Sequence, residues 1–223
     1  MKYQFIYLAS QSPRRQELLA QIGVRFELLL PRNSEDAEAL ELPITNEKAF
    51  DYVRRVTLAK SVAALQRWQE LKRIQSQLAW APILCADTTV SLAGSPLTEI
   101  LGKPRDAAHA IEILKMLSNK THDVYSAVAI TSHEKEPAHC LVQKSQVQFR
   151  ELSIKLIQDY VDSGESLGKA GAYGIQGMAA SFIQSIQGSY SGIMGLPLYE
   201  TAELLREANV DFGLNKNEPR NTD

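Results

Sequence analysis

The sequence is short of the residues on which disulfide-stapled and zinc-stapled domains depend. Cys85 and Cys140 are its only cysteines, far apart and outside any CxxC or CxxH spacing, which excludes a disulfide framework and offers no zinc site. Two ordinary buried thiols are expected. Charge of one sign is lacking as well: 24 Lys+Arg stand against 26 Asp+Glu, a formal net charge of -2. The surface as a whole therefore attracts neither nucleic acid nor anionic membrane, and there is no aromatic-basic stripe of the kind that single-strand binders use. Long apolar runs are missing too. FIYLA is far too short to span a bilayer, and it flows into a helix start without a signal-peptide cleavage pattern, so a cytoplasmic chain with no membrane partner is expected. No repeat, low-complexity tract or linker divides the chain. What remains is 223 residues, 44% of them hydrophobic, enough to bury a substantial core.

Apolar runs alternate with amphipathic helices, which favours an α/β or mixed α+β class over a bundle. QFIYLA, RFELLL, APILCAD and TTVSLA read as strands. Residues 12–23 form a helix between Ser12 as N-cap, Pro13 at the first position and Gly23 as terminator. Residues 46–76 carry an apolar stripe without Pro or Gly, giving one long helix or two joined ones. Asp106 caps a helix ending near Leu117, and DVYSAVAIT with CLVQKSQVQFREL has the alternation of paired strands. A helix over 153–161, a strand over 181–186 and a helix over 198–208 complete the order. The expected organisation is one domain over 1–212, with 213–223 as a polar, frayed tail.

Several stretches carry chemistry. In SPRRQELLAQIG, Arg14 and Arg15 fall in the first helical turn, where a cation is disfavoured by roughly 0.3–1 kcal/mol, so an anion is needed to justify them. Backbone N–H groups and the hydroxyls of Ser10 and Ser12 aim at the same place, and phosphate is the natural occupant. The bland account has both arginines in solvent, Arg14 pairing with Glu17. Asp87 ends the apolar run APILCA, and a carboxylate at a strand end suits a base or a metal ligand; the alternative is a turn aspartate capping Thr89. GKPRD places Lys103 and Arg105 in a loop before a helix, on a phosphate or simply solvated. GKAGAYGIQG matches neither the Walker pattern nor the dinucleotide fingerprint, but its glycines let the backbone approach a ligand, and the amide of Gln176 both donates and accepts. GSYSGIMGLPLYET either lines the same cleft or bends the chain.

In this order, SPRR with ELL, ADT after an apolar strand, GKPRD, KAGAYGIQG and GLPL before a Thr-containing helix resemble the Maf proteins, from about Tyr7 to about Leu205. That family consists of nucleoside triphosphate pyrophosphatases, also described as septum formation inhibitors. KAGAYGIQG is similar to its dTTP/UTP branch rather than the 7-methyl-GTP branch. The resemblance implies an elongated mixed sheet flanked by helices, like the inosine-triphosphatase fold, with two lobes around a central cleft. It also implies a divalent cation (Mg²⁺ or Mn²⁺), often a homodimer, and a house-cleaning role linked to cell-division arrest. Matched position by position, the general base falls on Asp87 and the substrate-selecting residues on Arg14, Thr88 and Gln176. Further cleft residues fall on Ser10, Arg15, Lys60 and Lys103, with Ser12 beside them, and metal ligation on Asp87 and Glu35. The chain departs from the family at Ala59 and Gly168, where carboxylates are usual, which puts metal affinity and turnover in question. The expected reaction is attack of water on the α-phosphorus of dTTP or UTP. The rivals are a nucleotide-binding regulator of septum formation that does not hydrolyse, and a pyrophosphatase for purine or 7-methyl-GTP nucleotides.

Overall fold

A computed structural model describes residues 2–31, 40–93 and 100–213. Their order is β1 (Ile6–Leu8), α1 (Pro13–Gln21), β2 (Phe26–Leu28), α2 (Ala49–Ile74), β3 (Ile83–Leu92), β4 (Ile100–Leu101), α3 (Ala107–Leu117), β5 (Thr121–Thr131) and β6 (His139–Phe149). Then come α4 (Ile154–Asp162), 3-10 turns at Ala170–Ala172 and Met178–Phe182, β7 (Ile183–Gln187), α5 (Tyr190–Met194) and α6 (Leu198–Glu207). The seven strands form one mixed sheet in the order β2-β1-β3-β5-β6-β7, with β4 added to β3. β1 runs parallel to β2 and β3, and the remaining pairs are antiparallel. No described helix is long and apolar enough to cross a membrane. Glu35 and the tail beyond Gly213 lie outside the described residues.

Local chemistry accounts for most boundaries. Asp106 accepts the His109 N–H at 2.8 Å and Ser153 the Leu156 N–H at 3.2 Å, so both expected caps start their helices. The stretch over 46–76 holds a single helix of 26 residues, Ala49–Ile74, since nothing in its interior breaks it. Its buried hydroxyls, Thr57 and Ser61, bond back to the carbonyls of Val53 and Thr57. Three expectations need correction. Ser12 stands at the N-cap of α1 but its hydroxyl caps nothing: Pro13 removes one orphan donor, and Ser10 Oγ accepts the Ser12 N–H at 3.3 Å. The strand expected over 181–186 begins at Ile183, because the second 3-10 turn holds Ser181 and Phe182. APILCAD and TTVSLA are one strand, paired with β5 from Ile83↔Thr131 to Leu92↔His122, so Asp87 sits inside a strand rather than at its end.

The core explains where a cleft opens. One sheet face is covered by α2, through Ala64 and Trp68 on Ile83 and Cys85 and through Val53 and Val56 on Ala127. The other face carries two clusters. Leu18, Leu19, Leu204 and Leu205 pack on Leu84, Ala86, Val128 and Ile130. Ile113, Leu114, Ile157 and Phe182 pack around Val90, Val124 and Val147. Each such side chain contributes about 1.5–3 kcal/mol of burial. Between the clusters the sheet presents the cross-strand pair Thr88↔Ser126, polar residues that anchor neither. Met194 packs against both clusters at this seam.

Candidate active site

The edge of β3 decides where the site lies. β5 pairs with the strand throughout on one side, whereas on the other β1 covers only Ile83 and Leu84 and β4 only Val90 and Ser91. From Cys85 to Thr89 that edge has no strand partner among the described residues, and Asp87 lies at its centre. A cavity of about 710 Å³ opens there. It is lined by Asp87 and Thr88 of β3, Lys60 of α2 and Lys103 of the GKPRD loop. Ser10, Ser12, Arg14 and Arg15 border it from the start of α1, and Gln176 from the glycine-rich loop. The structure thus brings together the sequence-predicted site residues except Glu35, which lies outside the described residues, and Arg105, which is exposed and does not line the cavity.

Charge at the Asp87 end is tightly paired. Tyr52 and Lys60 share one face of α2, eight positions apart. The Tyr52 hydroxyl donates to the Glu41 carbonyl at 2.8 Å, and Arg55 donates to the Leu42 carbonyl at 3.1 Å, which fixes the backbone around Glu41. Lys60 Nζ then donates to Glu41 Oε1 and Asp87 Oδ1, both at 2.7 Å. Lys103 Nζ donates to Glu41 Oε2 at 2.8 Å. Burial pushes the Glu41 carboxyl up, but Lys60 and Lys103 together outweigh it and hold the group below the usual carboxylate range. Two hard oxygen donors gathered on one ammonium are also the donor set of a small divalent cation, which takes one or two carboxylates and completes its shell with water and phosphate. Asp87 and Glu41 fit that role, although no group of three or more His, Cys, Asp or Glu occurs among the described residues.

Arg15 answers why a helix start tolerates cations. Its Nε–H donates to the Gly195 carbonyl at 2.9 Å, at the carbonyl end of α5, and Nη1 donates to Ser10 Oγ at 3.1 Å. The remaining N–H groups are left for an anion. Burial pulls the guanidinium down from its ordinary value and the Asp87 carboxylate pushes it back; it stays charged throughout the physiological range. Arg14 is half-buried and makes no hydrogen bond or ion pair among the described residues. Burial lowers Lys169, and Arg14 lowers it further, so the two cations repel each other at the cavity wall. Lys169 is tied back to the Glu165 carbonyl, so among the described residues Arg14 is the cation left to meet an anion.

The cavity floor is neutral. Ser126 donates to the Gly192 carbonyl at 2.6 Å, so in the 2.9 Å contact with Thr88 it is Thr88 that donates, which leaves the Thr88 oxygen as an acceptor for a ligand. Gln176 is exposed and its amide has no partner among the described residues. Sequence reasoning missed Glu41, Ser126 and Lys169. Lys169 stands inside the quoted KAGAYGIQG, whereas Glu41 takes its place from Tyr52 and Arg55, and Ser126 from strand register. Of the two departures, Ala59 is not part of the cavity wall, while Gly168 is, with φ +69, a left-handed backbone where glycine carries no penalty and Asp is among the few tolerated alternatives.

The Maf-like protein family model matches residues 5–208. A dTTP/UTP pyrophosphatase of Cupriavidus pinatubonensis is 55% identical over 210 residues, 94% of this chain and 100% of the relative. One of Albidiferax ferrireducens is 56% identical over 204 residues, 91% of this chain and 96% of the relative. One of Burkholderia orbicola is 53% identical over 210 residues, 94% and 96% of the two chains. With the five motifs in order, and their polar residues gathered around one cavity, the chain belongs to the Maf-like protein family.

Proposed function

We propose that this protein hydrolyses dTTP and UTP to the nucleoside monophosphate and pyrophosphate. The observation that carries this reading is the convergence of Arg14, Arg15, Lys60 and Lys103 with Asp87 on the open edge of β3, in one cavity with the amide of Gln176. The names of the relatives support the choice of substrate. The polyphosphate lies against the guanidiniums and Lys103, whose charges neutralise its oxygens. Asp87 accepts a proton from water, and the water oxygen forms a bond to the α-phosphorus as the bond from that phosphorus to the bridging oxygen breaks; pyrophosphate departs. Lys60 holds Asp87 in place through its 2.7 Å hydrogen bond. Asp87 and Glu41 would hold a divalent cation, Mg²⁺ or Mn²⁺, which supplies further charge neutralisation when bound. Gln176 donates to O4 and accepts from N3–H of uracil or thymine, a pair that cytosine presents in reverse. The same reading puts the enzyme in the cytoplasm with its substrates and carries forward the homodimer implied by the resemblance.

The test is a panel of dTTP, UTP, CTP, GTP and 7-methyl-GTP with Mg²⁺, Mn²⁺ or a chelator, quantifying monophosphate and pyrophosphate directly. Equal amounts of dTMP or UMP and pyrophosphate, abolished by the chelator, are expected. Tight nucleotide binding without product would replace the enzyme by a sensing protein, and preference for a purine would refute the base assignment.

A further inference from the structure

The turn that carries Gln176 is held from behind by two side chains that have no task in the proposed reaction. Gly174, Ile175, Gln176 and Gly177 form a turn closed by the Gly177 N–H on the Gly174 carbonyl at 3.0 Å. Ile175 is buried in the core cluster beneath it, and Gln176 points out at the cavity. At the head of the turn the Gly174 N–H donates to the Tyr160 oxygen at 3.3 Å. Tyr160 in turn donates to Glu165 Oε1 at 3.0 Å. Just past the foot of the turn, the Met178 N–H donates to Glu165 Oε2 at 2.9 Å. One carboxylate therefore ties both ends, directly at Met178 and through Tyr160 at Gly174. The turn has also been fitted to that carboxylate: a Cβ on Gly177 would lie 2.2 Å from Glu165 Oε1. Tyr160 is fixed independently, buried and edge-on to Phe182 with ring centroids 5.1 Å apart.

We infer that Tyr160 and Glu165 are positioning residues for base selection, a clamp that holds the turn where the amide of Gln176 reaches the pyrimidine edge. The inference rests on the pyrimidine reading above. Selection by a single amide requires it, because the amide meets O4 and N3–H together only when the backbone of the turn places Gln176 at one position against the base. Neither residue lines the cavity, so the clamp acts through the turn and not on the substrate. A purely structural role would instead lower stability and affect all nucleotides alike.

The experiment measures kcat and KM for UTP and CTP in the wild type, Tyr160→Phe, Glu165→Ala, Gly177→Ala and the Glu165→Ala/Gly177→Ala double variant. Hydrogen exchange at Gly174 and Met178 is followed in parallel. Tyr160→Phe keeps the ring packing and Glu165 lies at the surface side of the turn, so folded variants are expected. Each single variant should lower the UTP-to-CTP ratio of kcat/KM about ten-fold, through KM for UTP, with kcat changing less than about three-fold. Glu165→Ala should also speed exchange at Met178. Gly177→Ala displaces the carboxylate, so it should add almost nothing once Glu165 is already alanine. A wild-type preference for UTP that survives in Tyr160→Phe and Glu165→Ala, or losses shared equally by UTP and CTP, would overturn the clamp while leaving the pyrimidine reading standing. A wild type that hydrolyses UTP and CTP equally would overturn the pyrimidine reading itself, and the inference with it.

Discussion

The two ends of the cavity are built from different materials. At one end Lys60, Asp87 and Arg15 stand on a 26-residue helix, on the interior of a ten-residue strand and on the first turn of α1, and each is tied to fixed partners by bonds of 2.7–3.1 Å. At the other end Gln176 stands on a turn between glycines, and its amide has no hydrogen-bond partner among the described residues. Phosphoryl transfer needs charges that are already in place when the phosphorus is attacked, and on the proposed reading regular elements anchored in the core supply them. On the proposed reading, base selection needs only one amide at one position, which a loop held by hydrogen bonds can supply. The contrast teaches that loss of chemistry and loss of selectivity should be separable by mutation.

The largest effect is expected at the charged end. Asp87→Asn keeps an oxygen for Lys60 and removes the proton acceptor, so kcat should fall about 10³-fold for every nucleotide while the UTP-to-CTP ratio stays constant. Steady-state kinetics and a melting curve check this, and normal turnover would remove Asp87 from the base role. At the other end, Gln176→Leu should cost about 30-fold in the UTP-to-CTP ratio with kcat for UTP within about three-fold, because a leucine can neither donate to O4 nor accept from N3–H. An unchanged nucleotide profile would break the comparison from that side.

A smaller effect sits in the wall behind the loop. His122 is buried against Phe149 and Tyr173, with Nε2 2.9 Å from the Tyr173 hydroxyl, and burial pushes its pKa down to about 4. The unfolded chain, near 6.5, binds the proton first, so stability is fully present above that pH and is lost as pH falls toward 4, by up to roughly 3 kcal/mol. Thermal midpoints should therefore drop by up to roughly 10 °C between pH 6.5 and 4. His122→Gln, which offers an amide in place of Nε2 but does not titrate, should flatten that slope. The charged end behaves differently: Glu41 is held low by its lysines, so its contribution is fully present above the ordinary glutamate range and is lost as pH falls through and below that range.

What was legible in the sequence was whatever short-range chemistry dictates. Asp106 and Ser153 announced their helices, the alternation of β5 and β6 announced their pairing, and the arginine pair announced an anion site because helix physics makes it anomalous. What was not legible depended on distant lengths and registers. Asp87 looked like a strand end because the open edge beside it exists only where β1 and β4 both stop short. Ser12 looked like a cap because nothing local says that Ser10 accepts its N–H. Glu41 was passed over because its position is set by Tyr52 and Arg55 from the next helix, and the expected Glu35 lies outside the described residues. The seam at Thr88 and Ser126 appears only when two strands are laid side by side.

The charged end is expected to direct water onto the α-phosphorus. Hydrolysis of UTP in ¹⁸O-water, followed by mass spectrometry of both products, tests it directly. The isotope is expected in UMP, with pyrophosphate unlabelled; label in pyrophosphate would mean attack at the β-phosphorus and would contradict the account.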